Sequence, residues 1–101
     1  MAFHQLKTWP SYMRDIHNGK KTFEVRRADR DFREGDWLQL LAFDPKCGYV
    51  DLKDEGIGSM AAPPDQRKSC SVIVVLVTYI LPPTHTPPGY VVMSITRNEA
   101  W

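Results

Sequence analysis

Hydrophobic and polar residues alternate along much of this 101-residue chain with the period of two that indicates β-strands. One of the five strand-like segments, residues 71–81, is rich in β-branched residues and apolar on both faces, which is typical of a central strand. The five predicted strands are residues 3–8, 20–27, 37–43, 71–81 and 90–95.

A single short helix is predicted between the first two strands. Pro10 is tolerated in a first helical turn and opens this helix. Tyr12, Met13 and Ile16 form one apolar stripe that is expected to face the core. The Asn-Gly pair at 18–19 supplies a left-handed stop, so the helix is too short to persist without packing against the sheet.

This order of elements predicts a mainly β (α+β) fold, in the form of a small and mostly antiparallel barrel with one short helix between strands 1 and 2. The length predicts a single domain over residues 1–101. Residues 45–68 lose hydrophobic content and are rich in glycine, proline and charged residues. They are expected to form a flexible loop insertion, with a functional lid as the alternative.

Composition and charge exclude several classes of protein. Thirteen basic and twelve acidic residues leave a net charge of +1, so bulk charge cannot attract nucleic acid and any anion site must be local. No run approaches the roughly 20 apolar residues of a membrane span, and no signal peptide is apparent, so no membrane association and a cytoplasmic location are expected.

The two cysteines and three histidines do not indicate a metal site. Cys47 and Cys70 could form a disulfide, but a reduced compartment is the favoured expectation for a chain of this kind. No paired ligands stand at the spacings that zinc sites use. Neither a metal nor a cofactor is therefore expected.

Charge is concentrated between Lys20 and Arg33. Six basic and three acidic residues give this stretch of fourteen a net charge of +3. A local positive potential of this kind can steer a phosphate-bearing ligand. The alternative is a solvated sheet edge with exposed ion pairs of little energetic value.

Lys7 and Trp9 are expected to lie near this basic stretch, because the first strand ends where the helix begins and the basic strand begins where the helix ends. An indole ring beside cations can stack on an unpaired base while the cations meet the phosphate. Burial of Trp9 in the core is the competing interpretation, since tryptophan is highly buried on average.

Glu24 and Arg26 are two residues apart and share one face of the second predicted strand. A carboxylate there could accept a hydrogen bond from the exocyclic amino group of a base. Such a contact would select among bases, which phosphate contacts cannot do. Alternatively, Glu24 only holds Lys21 and Arg26 in place.

The sequence G-K-K-T-F-E-V-R at 19–26 fits the GxKxxExR signature of the ASCH domain, a relative of the PUA fold. The flanking stretches HQLKTWPSYM, DRDFREGDWLQL and PPGYVVMSI resemble a small uncharacterised bacterial and phage subfamily of that group. The chain is therefore similar to ASCH domains over most of its length.

This resemblance implies a PUA-like β-barrel of five to six strands, with a cleft between strand and helix that binds RNA or a modified nucleotide. The motif positions in this chain are Gly19, Lys21, Glu24 and Arg26. Some small proteins that resemble it hydrolyse the amide of acetylated cytidine, using the motif lysine and a threonine. Glu24 stands where that threonine is expected, so the nucleophilic hydroxyl is missing.

Three hypotheses follow from these residues. The first is a module that binds RNA or a modified nucleoside or nucleotide. In it Lys21 and Arg26 contact phosphate, Trp9 stacks on a base, Glu24 reads a base edge, and Lys7 is a further ligand-binding residue beside Trp9. The second is an amidohydrolase with Lys21 and Glu24 as catalytic residues. The third is a phage-type interaction protein whose apolar, proline-rich loops dock on another protein.

Overall fold

The computed structural model describes residues 1–64 and 67–97. The α-helix is α1 (Pro10–His17), and short 3-10 helices span Lys53–Glu55 and Pro83–His85. The strands are β1 (Phe3–Thr8), β2 (Phe23–Arg27), β3 (Trp37–Asp44), β4 (Gly48–Tyr49), β5 (Ser59–Ala61), β6 (Ser69–Ile80) and β7 (Tyr90–Arg97).

These strands belong to one mixed sheet with the order β1-β3-β6-β7-β2, in which β4 pairs with β3 and β5 pairs with β6. Antiparallel registers join β2 to β7, β6 to β7, β3 to β4 and β5 to β6. The mainly β class and the helix between the first two strands are confirmed. The described residues contain seven strands instead of five or six, because two short strands form within 45–68.

The chain divides into two compact units, each built from separate stretches of the sequence. The first unit contains residues 1–4, 22–38 and the described part of 74–101, and the second contains residues 5–21 and the described part of 39–73. Each unit buries its own apolar side chains. Those of the first include Leu38, Val75, Val77 and Met93, and those of the second include Met13, Leu40, Leu41 and Cys70.

Helix α1 buries Met13 and Ile16, as the apolar stripe predicts. Tyr12 departs from that expectation, because its side chain is 48% exposed. At about 100° per residue, Tyr12 lies at the edge of the face that Met13 and Ile16 centre, so its ring stays in solvent.

The helix ends at the predicted stop, where Gly19 adopts a φ of +78°. The amides of Lys20 and Lys21 both donate to the Asp15 carbonyl, at 2.9 and 3.0 Å. Because these donors complete the end of the helix, β2 begins at Phe23 and not at residue 20 as predicted.

Residues 45–68 contain secondary structure that the sequence does not predict. The Ser71 hydroxyl accepts from the Leu52 amide at 2.7 Å and donates to the Ile57 carbonyl at 3.1 Å, and both of those side chains are buried. Arg14 in α1 binds Glu55 through two hydrogen bonds of 2.7 and 3.0 Å, which lower the pKa of the Glu55 carboxyl. The described part of this segment is therefore packed into the second unit, while the flexibility of the loop stays a prediction.

Cys47 and Cys70 are both free thiols. Cys70 is buried beside Leu41 and Ala62, and this burial raises the pKa of its thiol. Among the described residues, no helix has the length and apolar character that crossing a bilayer requires.

Asp36 lies at the end of the turn that precedes β3 and is only 2% exposed. Its carboxylate accepts the Ala2 amide at 2.8 Å and the Arg33 amide at 2.9 Å, and it lies 2.8 Å from Nε2 of His4. Burial alone would raise the pKa of Asp36, but these hydrogen bonds outweigh it and lower the pKa below its ordinary value. The ionised carboxylate therefore stabilises the first unit.

We predict that Asp36→Asn lowers the free energy of unfolding by about 2 kcal/mol at pH 7, because hydrogen bonds to a buried charge are lost. The contribution of Asp36 to the free energy of unfolding is fully present at pH values above the ordinary aspartate pKa of 3.8. It is lost as the pH falls through the lower pKa that Asp36 has in the folded protein. Urea denaturation from pH 7 to pH 2 measures both effects. The exposed Asp31→Asn is the control, with an expected change within about 0.5 kcal/mol. Equal losses for the two variants would contradict this assignment.

Candidate functional site

The residues predicted to form the site are divided between the two units. Glu24 and Arg26 belong to the first unit, while Lys7, Trp9 and Lys21 belong to the second. Each group has a local geometry of its own. Their meeting in one cleft stays a prediction.

In the first unit, Glu24 and Arg26 point to the same face of β2, as predicted from their spacing. The Arg26 guanidinium donates from Nε to Oε2 of Glu24 at 2.8 Å, and the two side chains are 21% and 3% exposed. In the register with β7, Glu24 stands opposite Met93, which is fully buried. A nearly buried carboxylate is thus held in a fixed position by a cation that still reaches solvent.

The other face of β2 carries hydrophobic side chains but is exposed. Phe23 and Val25 are 47% and 49% exposed. Glu24 and Arg26, which alternate with them along the strand, face inward. The alternation predicted from the sequence is confirmed, and its polar face is the buried one. Such an inversion is tolerated because Glu24 and Arg26 satisfy each other, whereas an unpaired buried charge would be costly.

In the second unit, the Trp9 ring is 52% exposed, so the interpretation of Trp9 as a core residue is wrong. Tyr12 follows three residues later, in the first turn of α1, and is also about half exposed, whereas Trp9 directly precedes the helix and has a non-helical ψ of 138°. The Lys21 ammonium lies 5.0 Å from the centroid of the Tyr12 ring. The second unit therefore presents one accessible ring just before α1 and another in its first turn, with a cation beside the second ring.

Tyr12 is a candidate site residue that the sequence interpretation missed. Its place in the apolar stripe of α1 indicated burial, and the signal that the sequence offered was its closeness along the chain to Trp9. Lys7 has a different contact, because its ammonium lies 4.4 Å from the centroid of the Phe43 ring.

The remaining basic residues of the stretch 20–33 include exposed ion pairs. Nε of Arg33 donates to Asp31 at 2.8 Å, with both side chains more than 70% exposed. This pair therefore fits the alternative interpretation of the basic stretch, in which exposed ion pairs have little energetic value. Within the residues that the structure describes, no group of three or more histidine, cysteine or acidic side chains is arranged to hold a metal ion.

Comparison with known families gives one match. The family described as a domain of unknown function, DUF3850, matches residues 3–95, which is most of the chain. No curated protein matches the sequence. Because the family match does not refer to ASCH domains, the resemblance drawn from the GxKxxExR signature stays a prediction.

We predict that Glu24→Ala lowers the free energy of unfolding by about 3 kcal/mol, because it removes the carboxylate that pairs with the partly buried Arg26 guanidinium. Glu55→Ala removes the carboxylate of the exposed Arg14 ion pair and is expected to have little effect. Urea denaturation at pH 7 compares the two variants. If Glu24→Ala is as mild as Glu55→Ala, the Glu24–Arg26 pair is not a structural element of β2.

Proposed function

As this chain belongs to the DUF3850 family, whose description assigns no activity, we propose a function from its own residues: it binds single-stranded RNA or a nucleotide. Trp9 and Tyr12 stack on bases, and Lys21, Arg26 and Lys7 interact with phosphate. Glu24 selects among bases by accepting a hydrogen bond from an exocyclic amino group.

One observation carries this proposal, namely that Trp9 and Tyr12 are both about half exposed with the Lys21 ammonium 5.0 Å from the Tyr12 ring. Exposed rings beside a cation are the usual means of holding unpaired bases, because every base has a face that can stack and every nucleotide has a phosphate. The net charge of +1 supports a local contact of this kind over binding through bulk charge.

We assign base selection to the Glu24–Arg26 pair, which requires a base edge to reach a carboxylate whose side chain is only 3% exposed. A carboxylate held by a 2.8 Å hydrogen bond has a fixed orientation, so it accepts a further hydrogen bond from a defined direction. Cytosine, adenine and guanine carry an exocyclic amino group, whereas uracil does not. The partly exposed Arg26 guanidinium can at the same time meet a phosphate oxygen.

The amidohydrolase acting on acetylated cytidine, with Lys21 and Glu24 as catalytic residues, and the protein-interaction module both remain predictions. The exposed rings favour a binding function over the amidohydrolase, and the cation beside Tyr12 favours a phosphate-bearing ligand. Incubation of the purified protein with acetylated cytidine, followed by detection of cytidine, tests the amidohydrolase hypothesis directly.

We predict that Trp9→Ala and Tyr12→Ala each weaken binding of a fluorescently labelled ten-nucleotide RNA by about 5- to 100-fold, because each removes one stacking surface. Fluorescence anisotropy at about 50 mM salt measures the affinity, since the charge contribution is large there. Tyr79→Ala is the control, because Tyr79 is 50% exposed and is not assigned to the site. Failure of the unaltered protein to bind RNA under these conditions would refute the proposal.

We also predict that the cations and the carboxylate have separable effects. Lys21→Ala should weaken binding to all RNA sequences alike and reduce the slope of log K against log salt by about 0.7, which corresponds to one phosphate contact. Glu24→Gln should leave that slope unchanged and reduce the preference for oligocytidine over oligouridine by about tenfold.

Lys53→Ala removes an exposed lysine of the same unit as Lys21 and serves as the charge control. Circular dichroism confirms that each variant is folded before its affinity is compared. If Glu24→Gln and Lys21→Ala change the salt slope equally and neither changes base preference, Glu24 has no role in reading a base.

A further inference from the structure

A pocket of about 330 Å³ lies within the first unit. Its walls come from the segment that follows β2, from the proline-rich loop 82–89 and from the ends of β6 and β7. The volume is at the lower end of the range of small-molecule sites, about 300 to 1,000 Å³, so the pocket suits one compact ligand. None of the residues assigned above to RNA binding lines it.

The walls of this pocket are tied together before any ligand arrives. The Ala28 amide donates to the Gly89 carbonyl at 2.9 Å, which joins the segment after β2 to the proline-rich loop. Within that loop, the Thr86 hydroxyl donates to the Pro83 carbonyl at 3.1 Å and the Tyr90 amide to the Pro87 carbonyl at 3.2 Å. Because prolines also restrict φ, a ligand would order little chain on binding.

The lining of the pocket is mainly apolar. Ile80, Leu81 and Phe32 contribute hydrocarbon surface, and three prolines contribute ring surface without an amide donor. The Ala28 and Tyr90 amides are already used in the bonds that hold the wall. A ligand in this pocket therefore needs an apolar body, because few wall groups can hydrogen-bond to it.

Arg30 supplies positive charge to the lining. Its Nε lies 3.8 Å from Asp29, beyond hydrogen-bond distance, and its guanidinium is 5.8 Å from the centroid of the Phe32 ring. Asp31 also lines the pocket, but its carboxylate accepts a 2.8 Å hydrogen bond from Arg33. The Arg30 charge is thus only loosely compensated, and a guanidinium fork matches the oxygens of a carboxylate or a phosphate.

We propose that this pocket binds a small organic anion, namely an apolar ring or branched chain that carries one carboxylate or phosphate group. The apolar body contacts Phe32, Ile80 and the prolines, and the Arg30 guanidinium holds the anionic group. This inference rests on the pocket alone and does not depend on the proposed binding of RNA.

Titration of the ¹⁵N-labelled full chain with benzoate and with phenyl phosphate tests this proposal by NMR. Saturable shifts are expected at the amides of residues 28–32 and 80–91, with a dissociation constant on the order of 1 mM or tighter. The stronger of the two probes identifies the anionic group. Inorganic phosphate and benzyl alcohol, which each carry half of the required chemistry, should bind at least about tenfold more weakly.

Three variants separate the parts of this site. Arg30→Gln should weaken binding by at least about tenfold, whereas Arg27→Gln, which removes an exposed cation of the same unit outside the lining, should bind like the unaltered protein. Ala28→Leu retains Arg30 but fills the pocket, so it should also weaken binding by at least about tenfold. It should leave RNA affinity unchanged, which distinguishes this site from the one proposed above.

Several outcomes would overturn the inference. One is the absence of saturable shifts with both probes up to about 10 mM, a concentration that detects even weak sites. Another is equal affinity for inorganic phosphate and phenyl phosphate, since that would indicate an ion held by charge without use of the apolar wall. The inference would also be overturned if Arg30→Gln or Ala28→Leu bound benzoate and phenyl phosphate as tightly as the unaltered protein does.

Discussion

Burial of the Asp36 carboxylate is the constraint on which the first unit depends. A buried charge is tolerated only where donors surround it, and here the donors come from Ala2, His4 and Arg33. The Asp36 carbonyl also accepts the Val77 amide at 2.9 Å. One residue therefore connects the start of the chain, the turn before β3 and the middle of β6, and each of these stretches is positioned relative to the other two.

Glu24 is a second buried carboxylate with a different consequence. Its partner Arg26 lies two residues away on the same strand, so the pair stabilises the inward polar face of β2 without connecting distant parts of the chain. Since the polar face is turned inward, Phe23 and Val25 are left in solvent. The same arrangement leaves a fixed carboxylate and a partly exposed guanidinium side by side, which is the basis for assigning them to ligand recognition.

Because the chain has almost no net charge, both proposed functions depend on local groups and not on long-range attraction of the ligand. Trp9, Tyr12 and Lys21 combine ring surface with one cation, which suits a base and its phosphate. The pocket beside Arg30 combines a mainly apolar wall with one cation, which suits a smaller ligand. The two proposed sites differ in shape, since the first presents exposed ring faces and the second is a concave pocket.

Local secondary structure could be predicted from the order of residues along the chain. Strand β1 and helix α1 were predicted almost to the residue, because alternation, Pro10 and the stop at 18–19 act through neighbours along the chain. Candidate residues at 19–26 could also be named from their spacing. Tertiary structure alone decided that Tyr12 is exposed, that Glu24 faces inward, and that β4 and β5 pair with β3 and β6. These outcomes depend on partners far away in the sequence, such as Met93 opposite Glu24, and no periodicity within β2 specifies which of its faces those partners will cover.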